Sequence, residues 1–234
     1  VAERLPAYSG LLMQREVDVL SRLLSDVQRP FVVVIGGAKV SDKLAVINHL
    51  VERIDTLIIG GGMANTFLQA QGYQVGLSLL EPDLVPAARS VLDEAAARGV
   101  TVHLPSDVVV APTIEAKSGT IVSVDQVPAQ MAIFDIGPET VRTYAEAIGR
   151  ARTVFWNGPM GVLEKAPFAA GTLGVAAAVA RVDGFTVVGG GDSVAAIKQA
   201  GLADQIDHVS TGGGASLELL EGRVLPGVAV LPEA

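Results

Sequence analysis

Glycines, single or clustered, follow six short apolar runs in this chain: Gly36-Gly37, Gly60-Gly61-Gly62, Gly137, Gly158, Gly189-Gly190-Gly191 and Gly212-Gly213-Gly214. Glycine lets a backbone approach a ligand closely and adopt positive φ. A helix that starts at such a turn presents unpaired N–H groups that attract phosphate. One such corner is an ordinary tight turn; six of them, three triple, point to a phosphorylated ligand. Lys39 and Lys43 follow the first pair four residues apart, on one helical face if a helix has begun. They read as solvated lysines or, beside phosphates, as counter-charges, with Lys43 able to neutralise charge that develops on a transferring phosphoryl group. Asp192 follows a triple glycine and precedes Ser193. It reads as an N-cap or as a carboxylate for Mg²⁺, which takes one or two protein ligands and keeps several waters. Glu164 reads as a surface acid or as an acceptor for a ribose diol, and Trp156 and Phe155 as core residues ahead of adenine stackers.

Known glycine fingerprints do not describe these corners. No G-x-x-x-x-G-K-[ST] occurs, and the third position of each G-x-G-x-x-G candidate is Asn65, Val194 or Leu217. Both the Walker nucleotide folds and a dinucleotide oxidoreductase are therefore disfavoured. The chain has no Cys and only three His, at His49, His103 and His208, so thiol nucleophiles and a histidine metal cluster are not expected.

The elements that must hold the corners are legible in the hydrophobic pattern. Strands are predicted at 31–35, 57–59, 101–103, 132–134, 154–156, 185–188 and 208–210, and helices at 41–54, 82–98, 138–148, 168–181 and 194–200. Near-continuous apolar strands alternating with amphipathic helices predict an α/β domain: a doubly wound, mostly parallel, six-stranded sheet between two helical layers, Rossmann-like in plan. In such a sheet the strand ends share one edge, where ligands bind at the point of strand-order reversal. The interval 106–130, with Pro112, Lys117-Ser118-Gly119 and an apolar run at 121–124, predicts a small antiparallel β excursion. At 9–28, Leu11, Leu12, Val17, Leu20, Leu23 and Leu24 recur at helical spacing and predict a long lead-in helix ending before Pro30.

Composition narrows the function. Of 234 residues, 17 are Lys or Arg and 25 Asp or Glu, a net charge of −8, and aromatics are 4%. That balance argues against a nucleic-acid partner. Apolar residues reach 50%, but in runs well short of the ~18 a membrane span needs, and no secretory leader is read, so a cytoplasmic protein is expected. The first residue is Val, from which a longer parent chain is expected.

Six ordered motifs then carry a resemblance. Gly36-Gly37-Ala38-Lys39-Val40-Ser41-Asp42-Lys43, Gly60-Gly61-Gly62-Met63-Ala64 and Phe134-Asp135-Ile136-Gly137-Pro138-Glu139 are the first three. Trp156-Asn157-Gly158-Pro159-Met160-Gly161-Val162-Leu163-Glu164, Gly189-Gly190-Gly191-Asp192-Ser193 and Ser210-Thr211-Gly212-Gly213-Gly214-Ala215-Ser216 follow. Together, from about Leu5 onward, they resemble the carboxy-terminal, nucleotide-binding half of phosphoglycerate kinase, which reversibly transfers the acyl phosphate of 1,3-bisphosphoglycerate to MgADP in glycolysis. The resemblance implies that Gly37, Ala38, Gly60, Gly61, Gly137, Pro159, Met160 and Val162 line an adenosine slot. It implies that Glu164 holds the ribose hydroxyls, Asn157 the phosphate end of the nucleotide, and Lys39 and Lys43 its phosphates. Gly190, Gly191 and Ser193 would bind nucleotide phosphates, Asp192 would bind Mg²⁺, and Gly213 and Gly214 would offer N–H groups to the transferred phosphoryl. Ser193 stands where the family often has Thr and keeps the hydroxyl.

The family's phosphoglycerate site is another matter. Its Arg-x-Asp-x-Asn and His-x-Gly-Arg-Pro patterns, which belong to the amino-terminal half, do not occur in this sequence. The resemblance therefore implies a monomeric chain that binds ADP or ATP with Mg²⁺ but does not turn over without the missing domain. It divides the chain into an interdomain-type helix (1–28), a nucleotide-binding domain (29–223) and a tail that returns to the missing half (224–234). The alternative is a free-standing adenylate-binding module.

Overall fold

The computed structural model describes residues 7–231; the outermost parts of the expected lead-in segment and tail, 1–6 and 232–234, lie outside the described residues. Along the chain run α1 (Leu11–Ser25), β1 (Phe31–Ile35), α2 (Leu44–Leu50), β2 (Thr56–Ile59), α3 (Ala64–Ala70), α4 (Val85–Ala97) and β3 (Thr101–His103). An insertion follows, made of β4 (Asp107–Ala111), β5 (Thr120–Ser123) and β6 (Ala132–Ile136), and then α5 (Pro138–Ile148). The second half adds β7 (Thr153–Asn157), α6 (Ala170–Val179), β8 (Phe185–Gly189), α7 (Gly191–Gln199), β9 (His208–Val209), α8 (Gly214–Leu220) and α9 (Pro226–Ala229). Among the described residues no helix is long and apolar enough to cross a membrane.

The six-stranded sheet has the order β3-β2-β1-β7-β8-β9, and all its pairings are parallel. Strand order therefore reverses between β1 and β7, and the C-terminal ends of these two strands open a crevice. Side chains that alternate along the strands feed two separate cores. Phe31, Val33, Ile35, Leu57 and Ile59 pack against α1–α4 and α8. Val32, Val34, Ile58, Val154 and Trp156 pack against α5–α7. Trp156 is fully buried, as expected of a core residue, and its Nε1 donates to the Gly158 carbonyl at 2.8 Å.

The structure changes two sequence expectations. The run at 132–134 does not join the parallel sheet: as β6 it pairs antiparallel with β4, giving a second sheet of order β5-β4-β6. Gly137 consequently follows a strand of the small sheet, and five rather than six glycine corners share the main edge. Lys39 and Lys43 do not share a helical face either, because the chain turns through 41–43 and α2 starts only at Leu44.

Asp107, at the start of β4, locks the small sheet to the main body. Its carboxylate accepts the Glu139 and Thr140 N–H groups at 3.1 and 2.7 Å and the Thr140 hydroxyl at 2.7 Å. The first turn of α5 is thus capped by a residue more than thirty positions away. Gly137 is needed for this contact, since a Cβ there would lie 2.2 Å from an Asp107 oxygen. Asp107→Ala should lower the unfolding free energy by about 1–2 kcal/mol, measured by urea denaturation. A loss under ~0.5 kcal/mol would show that the cap carries no stability.

Candidate active site

Three loops meet at the reversal point through their own backbones. Gly36 N–H donates to the Asn157 carbonyl (2.8 Å), Gly37 N–H to Pro159 (2.9 Å) and Gly61 N–H to Met160 (3.0 Å). The approach is so close that a Cβ on Gly158, whose φ is +93°, would sit 2.2 Å from the Gly36 carbonyl oxygen. Several of these glycines therefore serve loop-on-loop packing before any ligand contact. Gly60 is one, buried behind Met160 with its missing Cβ 2.4 Å from Sδ. What they build is the wall of a cavity of about 470 Å³ between the two sheets.

Gly37 and Ala38 after β1, Gly61 after β2, and Pro159, Met160, Val162 and Glu164 after β7 line this cavity. Asp192, exposed on the first turn of α7, also lines it. Gly137 does not line it; it sits behind the wall, against Asp107. Residues without a sequence-assigned role in the site complete the wall: Asn65 on α3, Leu77 and Leu79 from the loop after it, Ile114 from the insertion, and Phe134 and Asp135 on β6. Leu77 and Leu79 are 65% and 47% exposed, apolar groups held in solvent over the opening. An exposed leucine pair in a loop with no period is the only sequence signal they leave.

Beside the cavity lies a polar rim. Asn157, the last residue of β7, is 1% exposed, and its Oδ1 accepts a hydrogen bond from Lys43 Nζ. Its Nδ2 is buried without a hydrogen-bond partner. Burial depresses the Lys43 ammonium pKa, while the charges of Asp42, Asp192 and Glu221 pull it back up. Lys39 is exposed one turn earlier. Glu81 shapes this lysine loop by accepting the Val40 and Ser41 N–H groups at 2.6 and 3.2 Å and the Ser41 hydroxyl at 2.7 Å. Desolvation raises its carboxyl, but those hydrogen bonds outweigh it and hold the group below the usual carboxylate range. Ser193 is buried and its Oγ accepts the Gly158 N–H at 2.6 Å, which pins α7 to the loop after β7.

The starts of the four helices α5–α8 fall into two kinds. Those of α5 and α6 are closed by carboxylates of the chain itself: Asp107 at α5, and Asp135, whose Oδ2 accepts the Gly171 N–H at 2.7 Å, at α6. The N-caps of α7 and α8 are Gly190 and Gly213, with φ of +89° and +56° and no side chain to cap with. Space is open around Gly191, Gly213 and Gly214, with no atom within 4 Å of a Cβ built on them. The α7 start, at the end of β8, directs helix-terminal amides and partial positive charge to solvent beside Asn157, while the α8 start, at the end of β9, opens to solvent further along the same sheet edge. A divalent cation would find little protein help, since no group of three acidic or His residues that could hold one occurs among the described residues. Asp192 alone suits a Mg²⁺ ion that arrives with its own phosphate ligands.

Asp135 is 1% exposed, and burial pushes its carboxyl up to about 7 against the downward pull of the Gly171 and Ile136 N–H groups. The folded chain thus holds this proton more tightly than the unfolded one, in which the group titrates near 3.8. Its contribution to stability is full below that value and is lost as pH rises to about 7. The unfolding free energy of the wild type, measured relative to Asp135→Asn, should decline from pH 3.8 to about 7 and level off above. A difference independent of pH in denaturant titrations would contradict this.

Comparison with known proteins agrees with the layout. The family model described as phosphoglycerate kinase matches residues 1–223. Proteins named phosphoglycerate kinase from Roseiflexus sp. (strain RS-1) and Thermomicrobium roseum are each 59% identical over 100% of this chain and 60% of their own length. The chain therefore spans about 60% of the length of the curated relatives it matches. Among solved structures, phosphoglycerate kinase from Coxiella burnetii superimposes with a TM-score of 0.91 at 45% identity, covering 94% of this chain and 57% of that one. The enzyme from Pyrococcus horikoshii OT3 gives 0.84 at 36% identity, over 98% and 58%. With one family matching in sequence over nearly the whole chain and two solved members superimposing on 94% and 98% of it, this chain belongs to the phosphoglycerate kinase family.

Proposed function

We propose that this chain is the MgADP/MgATP-binding part of a phosphoglycerate kinase, a phosphotransferase moving a phosphoryl group between ADP and the carboxylate of 3-phosphoglycerate. The observation that carries the reading is the polar rim. The uncapped α7 start, the half-buried Lys43 ammonium and the unpartnered Asn157 Nδ2 lie together beside an apolar cavity at the strand-order reversal, with the uncapped α8 start on the same sheet edge. A nucleoside diphosphate has this division, with a flat apolar base and a multiply charged tail. The family named by the matching relatives favours the same ligand.

In this reading the adenosine enters between the Gly37–Ala38 and Gly61 backbones on one side and Pro159, Met160 and Val162 on the other. Glu164, exposed at the cavity mouth, accepts hydrogen bonds from the ribose hydroxyls. The amides of Gly190, Gly191 and Ser193, with Asn157 Nδ2 and Lys39, take the phosphates, and Asp192 provides the protein's carboxylate for Mg²⁺. When bound, Mg²⁺ would supply neutralisation of phosphate charge. Lys43 and the Gly213 and Gly214 amides lie where they stabilise charge on the phosphoryl in flight. Such transfer asks for positioning and electrostatics, not covalent help from the protein. Neither the attacking ADP oxygen nor the departing carboxylate needs a general base.

The acceptor site is proposed to lie on a second domain. Leu11 and Leu12 of α1 are 87% and 63% exposed, and a groove of about 250 Å³ runs between α1 and the α8–α9 segment, lined by Met13, Val17, Leu219 and Val228 among others. This apolar face fits a covering domain that also excludes water during transfer. A cytoplasmic monomer fits a glycolytic role.

Isothermal titration of the chain with MgADP should give a dissociation constant between micromolar and millimolar. Lys43→Ala should weaken it by about tenfold through the lost charge-assisted contact. Asp192→Ala should abolish the difference between MgADP and metal-free ADP. A coupled assay should show no turnover by the chain alone. Saturable turnover would place the acceptor site on this chain, and an unchanged metal dependence in Asp192→Ala would remove Asp192 from the site.

A further inference from the structure

Glu81 is a charged side chain that the proposed ligand contacts do not account for. It ends the loop that carries Leu77 and Leu79, does not line the cavity, and turns its carboxylate onto the backbone that follows β1. Oε2 accepts the Val40 and Ser41 N–H groups, and Oε1 accepts the Ser41 hydroxyl. Val40 and Ser41 lie between Lys39 and Lys43 in the chain. Among the described residues neither lysine forms an ion pair, so this acid holds main chain between them without neutralising them. A carboxylate next to lysines that are to meet an anion opposes binding by its charge alone. Its presence there calls for another role.

We infer that Glu81 is a positioning residue for Lys43: its carboxylate fixes the loop 38–43 so that the Lys43 ammonium is held at the phosphate end of the site. The inference rests on the nucleotide reading above and adds to it the group that sets one of its charges in place. Three anchors hold this loop. At Gly37 the N–H donates to the Pro159 carbonyl at 2.9 Å and the carbonyl accepts the Met63 N–H at 3.0 Å. At Leu44 the helix α2 begins. Midway stands Val40, with its side chain buried in the core and its N–H given to Glu81 at 2.6 Å. The Val40 carbonyl accepts the Lys43 and Leu44 N–H groups at 2.9 and 2.8 Å. Lys43 thus lies one tight turn beyond the residue that Glu81 holds, and from there its Nζ reaches Asn157 Oδ1. Glu81 is itself tied down, its N–H donating to Thr66 Oγ1 at 3.3 Å and its carbonyl accepting the Leu84 N–H at 3.0 Å. Without the carboxylate two amides and a hydroxyl lose their acceptor and the middle anchor is gone. A flexible four-carbon side chain that starts from a loosened backbone then meets a phosphate less often.

The test is NMR titration of the whole chain, which reads weak as well as tight binding, with MgADP and with adenosine. Glu81→Ala should weaken MgADP about tenfold and leave adenosine within about twofold, since adenosine has no tail for Lys43 to meet. Glu81→Gln should recover MgADP affinity to within about threefold, because its oxygen can accept the two amides and its NH₂ can donate to Ser41 Oγ. In a Lys43→Ala background, Glu81→Ala should cost less than about twofold more, as expected of a residue that acts through Lys43. An unchanged MgADP affinity in Glu81→Ala, an equal loss for adenosine, or an undiminished loss in the Lys43→Ala background each overturns the inference while leaving nucleotide binding intact. Tighter MgADP binding does so too, and marks the carboxylate as a competing anion. Should Glu81→Ala not fold, Ser41→Ala removes one of the three hydrogen bonds and should weaken MgADP about threefold with no loss for adenosine; no change in MgADP affinity overturns the inference. A wild type that binds neither ligand overturns both the inference and the function it rests on.

Discussion

The account depends on how the chain treats the N-termini of its helices. Each leaves backbone N–H groups unpaired and carries partial positive charge. The starts of α5 and α6 are closed by a carboxylate from a distant element, Asp107 at α5 and Asp135 at α6. At α7 and α8 the cap is glycine and the surroundings are open. Among α5–α8 this sets two starts closed by carboxylates apart from two that stay open. The Lys43–Asn157 hydrogen bond lies beside the α7 start and gives the half-buried ammonium a partner.

The sheet makes this arrangement a site. Parallel pairing puts the ends of β1, β2, β7, β8 and β9 on one edge, and the order reversal between β1 and β7 separates their connections so that a crevice opens there. The insertion β4–β6 supplies the opposite wall through Phe134 and Asp135. Tyr144 of α5 ties the two sides together, its hydroxyl donating to the Ile59 carbonyl at 2.6 Å at the end of β2. An apolar cavity and a polar rim thus lie side by side at this edge.

Much of this was legible in the sequence, for definable reasons. The strands and the helix at 138–148 stand out because apolar periodicity and flanking Gly or Pro are local properties. The corners stand out because only glycine satisfies them, although the structure shows that Gly36, Gly60 and Gly158 answer first to loop packing. Gly137 looked like a rim residue because an apolar run followed by glycine reads the same in either sheet. Pairing was not legible: Lys43 and Asn157 are 114 positions apart, and Asp107 caps a turn 33 positions on. Nor was the cavity's apolar end, since Leu77, Leu79 and Asn65 carry no periodic mark and acquire their role only when the insertion folds over them.

The central claim, that main-chain amides at the open helix starts hold a nucleotide's anionic tail, is tested most directly by an amide-resolved NMR titration with MgADP. The account predicts large shifts for the backbone N–H groups of Gly190, Gly191, Asp192 and Ser193, joined by Gly213 and Gly214 once a transferable phosphoryl is supplied. Glu139, Thr140 and Gly171, whose amides are closed by Asp107 and Asp135, should stay nearly still. Equal perturbation of both sets, or none at Gly190–Ser193 under saturating ligand, would contradict it.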